Sequence, residues 1–159
     1  MAGIKIRKML YADILQVHAI AKQCFTMPWQ LNSFEYELGN KDAILNVAAL
    51  DNEIVGYVCL RTIFDVTHVM DIAVKPKLRQ TGICSILLRA ALQELRRIKQ
   101  DMYLVTLEVR ESNIGAIRLY ERAGFKEIGR RKGYYKKPVE DAIIMELDMN
   151  ADNSSLTFH

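Results

Sequence analysis

The chain has 159 residues, half of them apolar and 26% charged, with a formal net charge of +3. That size fits one domain able to bury a core without disulfide or metal staples. The mild charge is spread along the chain, and its densest group, Arg130 to Lys137, is broken by glycine and tyrosines, so no basic stripe for nucleic acid forms. Cys24, Cys59 and Cys84 are widely spaced with no CxxC pair, and His18, His68 and His159 fall in no metal-ligand spacing. Reduced thiols and no metal are expected. The opening MAGIKIRKML lacks the apolar run of a signal peptide, and no stretch approaches the roughly 18 apolar residues of a membrane span. A cytoplasmic protein with no membrane contact is the expectation.

In chain order, Ile4 and Ile6 alternate with Lys5 and Arg7 and predict a short strand. Tyr11 to Phe25 reads as a helix with Ile14, Val17, Ala21 and Cys24 on one face; Pro28 ends it, and Asn32 to Leu38 reads as a second, short helix. Strands Ala43 to Leu50 and Glu53 to Phe64 join at the Asp51-Asn52 turn, and a third, Val66 to Val74, stops before Pro76. The longest helix spans Gly82 to Lys99, with Ile83, Leu87, Ala91, Leu95 and Ile98 as its apolar stripe. Met102 to Val109 alternates as a strand; Ser112 is expected to cap a helix from Asn113 to Ala123, closed by Gly124. Strands Phe125 to Tyr135 and Asp141 to Met149 turn at Lys137-Pro138. The expectation is one α/β domain over residues 1–149, followed by a polar, disordered tail over 150–159.

The segment from Ala73 to Ser85 runs from a strand into the long helix. Arg79, Gln80, Thr81 and Gly82 bring unpaired backbone N–H groups and the positive end of the helix dipole together, which suits an anion such as a pyrophosphate. A Cβ at position 82 could block a phosphate's close approach. The segment is neither a Walker loop nor a dinucleotide fingerprint, since no Gly-Lys-Ser/Thr follows and only one glycine is present. On pattern alone it equally well begins a helix after a surface loop.

Arg79-Gln-Thr-Gly82-Ile-Cys84, preceded by Ile72-Ala73-Val74, resembles the Q/R-x-x-G-x-G/A acetyl-coenzyme-A motif of the GNAT acetyltransferase superfamily. The run from Leu107 through Glu108, Asn113 and Tyr120 to Phe125 is similar to that superfamily's later motif. Gly133-Tyr134-Tyr135, Glu140-Asp141-Ala142 with Met145, and Pro28-Trp29 ahead of Phe34 resemble a narrower branch, the ribosomal-protein-alanine N-acetyltransferases and their N-terminal acetyltransferase relatives. The resemblance spans residues 4 to 149. Cys84 departs from the usual Gly or Ala, and Gln30 stands where the branch has a capping Ser or Thr.

The resemblance implies a mixed, mostly antiparallel sheet of about seven strands flanked by about four helices. It also implies acetyl-CoA held by Ile72, Ala73, Val74, Arg79, Gln80, Thr81, Gly82, Ile83, Cys84, Ser85, Asn113 and Tyr120. By itself Glu108, with Thr106 and Arg110, reads as a solvated acid on the polar face of a strand, and Tyr120 as a core aromatic; the resemblance makes them proton acceptor and proton donor to the leaving thiolate. Cys84 is expected to face the pyrophosphate rather than the thioester, leaving direct transfer in a ternary complex without an acyl-enzyme.

Tyr134 and Tyr135, adjacent on a strand, are expected to point to opposite faces, one into the core and one toward a peptide groove. The resemblance gives that groove Phe25, Pro28 and Trp29 as its other wall; without it, all five are a plain hydrophobic lip or core. Glu140 and Asp141 read as turn charges. The implied substrate is a protein N-terminus, specifically the N-terminal alanine of a small-subunit ribosomal protein. Broader N-terminal or small-amine acetylation, and a non-catalytic coenzyme-binding regulator, are the alternatives.

Overall fold

A computed structural model describes residues 3–150; the tail expected over 150–159 lies, beyond Asn150, outside the described residues. Strands β1 (Ile4–Lys8), β2 (Ala43–Leu50), β3 (Glu53–Ile63), β4 (Val66–Val74), β5 (Leu104–Arg110), β6 (Lys126–Tyr135) and β7 (Glu140–Asp148) form one seven-stranded sheet in the order β1-β2-β3-β4-β5-β7-β6. Every neighbouring pair is antiparallel except β4 and β5. The four α-helices are α1 (Ile14–Cys24), α2 (Leu31–Leu38), α3 (Ile83–Ile98) and α4 (Ile114–Arg122). This is the mixed, mostly antiparallel arrangement that the resemblance implied.

Two apolar clusters lie on the two faces of the sheet. Along α3, Ile83, Leu87, Leu88, Ala91, Leu92 and Leu95 recur at helical spacing and are all but fully buried. They pack with Val55, Val58, Leu60, Val105, Leu107 and Val109, and with Tyr120 and Phe125. Each buried leucine, isoleucine or valine among them contributes about 1.5–3 kcal/mol by leaving water. On the other face Val17, Ile20 and Ala21 of α1 and Phe34 of α2 cover Val47, Tyr57, Cys59 and Ala73. Strands β2 and β3 are therefore apolar on both sides. Gly56 is required between the layers: a Cβ there would stand 3.0 Å from the Ala73 carbonyl, from Leu87 and from Val74.

Two local expectations change. The residue capping α4 is Asn113, whose side-chain oxygen accepts from the Ala116 N–H at 3.2 Å. The Ser112 N–H is instead drawn to Glu140 at 2.6 Å. Glu140 also accepts from Arg110, and Asp141 accepts from the Gly133 N–H at 2.8 Å, so both acids tie β7 to its neighbours rather than merely solvating a turn.

Tyr134 and Tyr135 do not straddle the sheet. The β6–β7 register slips between Arg131 and Tyr135, and Gly133 takes φ 63°, which suspends the strand's alternation. The two rings meet edge to face at 5.0 Å, and neither belongs to a core cluster.

Candidate active site

The feature that makes a site is a parting of strands. β4 pairs with β5 only at Val66–Leu104, Thr67–Val105 and His68–Thr106, yet β4 runs on to Val74 and β5 to Arg110. Beyond His68 the two diverge, each still paired to its outer neighbour. A bulge in β4, where Cys59 faces Asp71 and Leu60 faces Val69, bends the strand at this point. Peptide groups of β4 that face β5 beyond His68 are left without a strand partner.

At the far end of β4 the chain makes a short 3-10 turn at Pro76–Leu78 and enters α3. Gln80 and Gly82 both adopt left-handed backbone, φ 65° and 89°, and Thr81 is tied to the Leu78 carbonyl at 2.6 Å. Gly82 is the N-cap and no side chain caps the helix, so the N–H groups of Ile83, Cys84 and Ser85 point outward unpaired. A Cβ at Gly82 would meet no protein atom within 4 Å. The positive φ favours glycine there, and the space beside it is open to a ligand that accepts hydrogen bonds from these N–H groups. Arg79 reaches back to Cys24, whose thiol donates to the Val74 carbonyl at 3.3 Å.

Cys84 lies differently from its expected position. Its side chain packs against the α3-side cluster, within electrostatic reach of Cys24 and Tyr120. Burial pushes its thiol up to about 12. Tyr120, on α4, is 7% exposed, and its ring meets Phe125 at 5.8 Å. Among the described residues no protein group is within hydrogen-bonding distance of its hydroxyl. Burial first, then Cys84, Asp71 and Tyr135, raise the phenol well above its usual 10.

Glu108 alternates with the buried Val105, Leu107 and Val109, so it looks away from α3, as expected. Its nearest cation is Arg131, at 4.0 Å. Tyr135 lies close to it: burial first, then Tyr134 and Glu108, push that phenol up to about 12. Arg110 stacks on the Tyr135 ring at 4.5 Å, and Arg131 lies over Tyr134 at 5.6 Å. Phe25, 37% exposed, Pro28 and Trp29 form a rim where α1 passes into α2. Trp29 contacts Phe34 at 5.2 Å, and Phe34 contacts Tyr57 at 5.5 Å.

That aromatic row leads to a residue outside the sequence expectations. The Tyr57 hydroxyl donates to Asp71 Oδ2 at 2.8 Å, and the Ile72 N–H is a second donor. Burial outweighs both bonds and raises the Asp71 carboxyl to about 6. The available signal was a lone acid within Val-Met-Asp-Ile-Ala-Val. Among the described residues, no group of three or more metal-ligating side chains occurs and no helix is long and apolar enough to cross a membrane.

Residues 14–125 match the model of the acetyltransferase (GNAT) family. A [ribosomal protein bS18]-alanine N-acetyltransferase of Haemophilus influenzae is 31% identical over 137 residues, covering 84% of this chain and 90% of its own. An N-alpha-acetyltransferase of Sulfurisphaera tokodaii is 32% identical over 155 residues, covering 89% and 90%. The crystal structure of the ribosomal-protein-S18-alanine N-acetyltransferase from Escherichia coli superposes with a TM-score of 0.84 at 27% identity, covering 98% of this chain and 99% of that one.

Proposed function

The chain belongs to the acetyltransferase (GNAT) family and is an acetyl-transferring enzyme; from that premise we propose that it moves the acetyl group of acetyl-CoA onto the N-terminal alanine of a small-subunit ribosomal protein. The observation that carries this reading is the gap between β4 and β5. The uncapped N-terminus of α3 follows β4, Glu108 lies on β5, Tyr120 lies on α4, and Phe25, Pro28 and Trp29 follow α1, whose end bonds the Val74 carbonyl through Cys24.

The residues present fit the donor. The N–H groups from Gln80 to Ser85, with Arg79, would hold its diphosphate; those peptide groups of Ile72, Ala73 and Val74 not already bonded to Asp71 or Cys24 would hold its arm and polarise the thioester carbonyl. Asn113 spends its side-chain oxygen on Ala116, which leaves its amide nitrogen to donate to the cofactor. The thioester supplies the activated acetyl group.

Glu108 takes the proton that the α-ammonium must lose before its nitrogen can attack. Tyr120, protonated across the physiological range, returns a proton to the departing sulfur. Cys84 holds its proton at any physiological pH and is a poor nucleophile, which favours direct transfer over a covalent acyl-enzyme. The five rim residues Phe25, Pro28, Trp29, Tyr134 and Tyr135 would receive the first residues of a peptide. We read residues 1–149 as one catalytic domain acting in the cytoplasm.

The alanine preference is inferred from the Haemophilus influenzae relative. The Sulfurisphaera tokodaii relative, named only for α-amine acetylation, favours a broader N-terminal specificity as the second reading. Incubation with acetyl-CoA and peptides beginning with Ala, Ser or Met, beside polyamines, read by mass spectrometry, separates these. Acetyl gain on Ala peptides first is expected; gain on polyamines alone contradicts the proposal.

A further inference from the structure

We propose that Asp71 is the binding site for the acceptor's ammonium group, a negative charge built into the parting of β4 and β5 that selects a free primary amine. The inference rests on the acetyl-transfer reading above and adds a residue to it.

Position comes first. Asp71 lies beyond His68, the last residue of β4 paired to β5, and so in the open part of the gap. The bulge between Val69 and Asp71 sets its direction: Val69 packs in the α3-side cluster, whereas Asp71 bonds Tyr57, which belongs to the α1 and α2 side. Glu108, across the gap on β5, also turns away from α3. Two carboxylates from the two diverging strands therefore look to the same side of the sheet, the side that carries the aromatic rim. Tyr120, from α4, is within electrostatic reach of Asp71.

The surroundings of Asp71 complete the case. Its donors are the Tyr57 hydroxyl and the Ile72 amide, both neutral, and among the described residues no basic side chain pairs with it. The other titratable groups that feel it are Cys24 of α1, Cys59 of β3 and Tyr120. None of these supplies a positive charge. Asp71 is half-buried at the edge of the gap, and a carboxylate that has lost part of its water without gaining a cation favours a positive partner. Among the described residues, the two buried acids on the sheet's α1 and α2 side each hold a cation: Glu37 has Arg61, and Asp13 has Arg7. The cation missing at Asp71 is one that arrives with a ligand.

A primary ammonium matches the site. It is small, carries three N–H donors, and can bond Asp71 with Glu108 on the same side of the sheet, while its carbon chain leaves toward the half-exposed Trp29. Tyr57, fully buried and bonded through its hydroxyl, fixes the carboxylate. In this arrangement Asp71 holds the ammonium and Glu108 takes its proton.

The test compares two ligands on the enzyme loaded with coenzyme A: an alanine-starting peptide, and the same peptide with a propionyl group in place of that alanine. Calorimetry on the wild type should show the amine worth at least about tenfold in Kd, as expected for a charge-assisted pair. In Asp71→Asn, which keeps the volume and a partner for Tyr57, the gap should close to under about threefold, with coenzyme A affinity unchanged. Asp71→Ser carries the same comparison if Asp71→Asn does not fold. Full preference for the amine in these variants overturns the inference alone, provided the wild type acetylates the peptide. A wild type that binds neither peptide overturns the inference and the proposed acceptor together.

Discussion

Arg131 Nη2 lies 4.0 Å from Glu108 Oε1, joining β6 to β5 across the intervening β7. With the two side chains 58% and 26% exposed, this pair contributes at most about 1 kcal/mol. Arg131→Ala should therefore change kcat/KM by less than about tenfold. Glu108→Gln should lower it by about 10²–10⁴-fold and flatten its rise with pH, because the amide cannot accept the proton of the amine. Steady-state kinetics from about pH 6 to about pH 9 check both. Equal turnover of Glu108→Gln and wild type across that range removes Glu108 from the mechanism.

Tyr120 offers a cleaner separation of chemistry from folding. Its ring is packed on Phe125 but its hydroxyl bonds no protein group among the described residues. Tyr120→Phe should melt within about 0.5 kcal/mol of wild type while kcat falls by about 10²-fold or more. Burial favours the neutral phenol, so its proton is retained as pH rises through 10. The alkaline limb of the wild-type rate should accordingly show no loss from this group below about pH 10. A Tyr120→Phe variant with full kcat contradicts the assignment.

Gly82 is held at φ 89° with nothing within 4 Å of where a Cβ would be. Gly82→Ala should cost about 1–2 kcal/mol from backbone strain alone, since no contact is displaced. If the cradle beside it holds the donor, the KM for acetyl-CoA should rise at least about tenfold while the KM for peptide changes little. Thermal melts and paired KM measurements check this; a melt shift without a KM change refutes the cradle.

Asp71 makes a prediction of opposite sign for stability. Its folded carboxyl, at about 6, binds protons more tightly than the unfolded one near 3.9, so the native state is relatively favoured in acid. That advantage is complete below about pH 4 and is lost as pH rises to about 6, beyond which the penalty stays constant. Allowing for solvent at the gap, the penalty is about 1–2 kcal/mol. Asp71→Asn should therefore be more stable than wild type at pH 7, with the difference vanishing near pH 4 in denaturant titrations. A variant less stable at both pH values contradicts this.

Much of this arrangement could be read from the residues before any coordinates. The α3 stripe from Ile83 to Leu95 and the alternation through Glu108 are periodicities, and burial follows periodicity directly. The parting of β4 from β5 could not be read this way, because which strand edges separate depends on partners far along the chain. Asp71 was missed for the same reason: one acid in an apolar strand gains meaning only when a bulge turns it toward Tyr57. The tyrosine pair was misjudged because alternation was assumed through Gly133, where positive φ suspends it. Ser112 and Asn113 are both good caps, and only the pull of Glu140 on the Ser112 N–H decides between them.

The most direct measurement is a crystal structure with coenzyme A joined through its sulfur to the amine of an alanine-starting peptide. The account expects the diphosphate on the N–H groups around Gly82, the pantetheine arm threaded between β4 and β5, and the alanine nitrogen between Asp71 and Glu108. A conjugate lying outside that gap, or a diphosphate bound away from the first turn of α3, would contradict it.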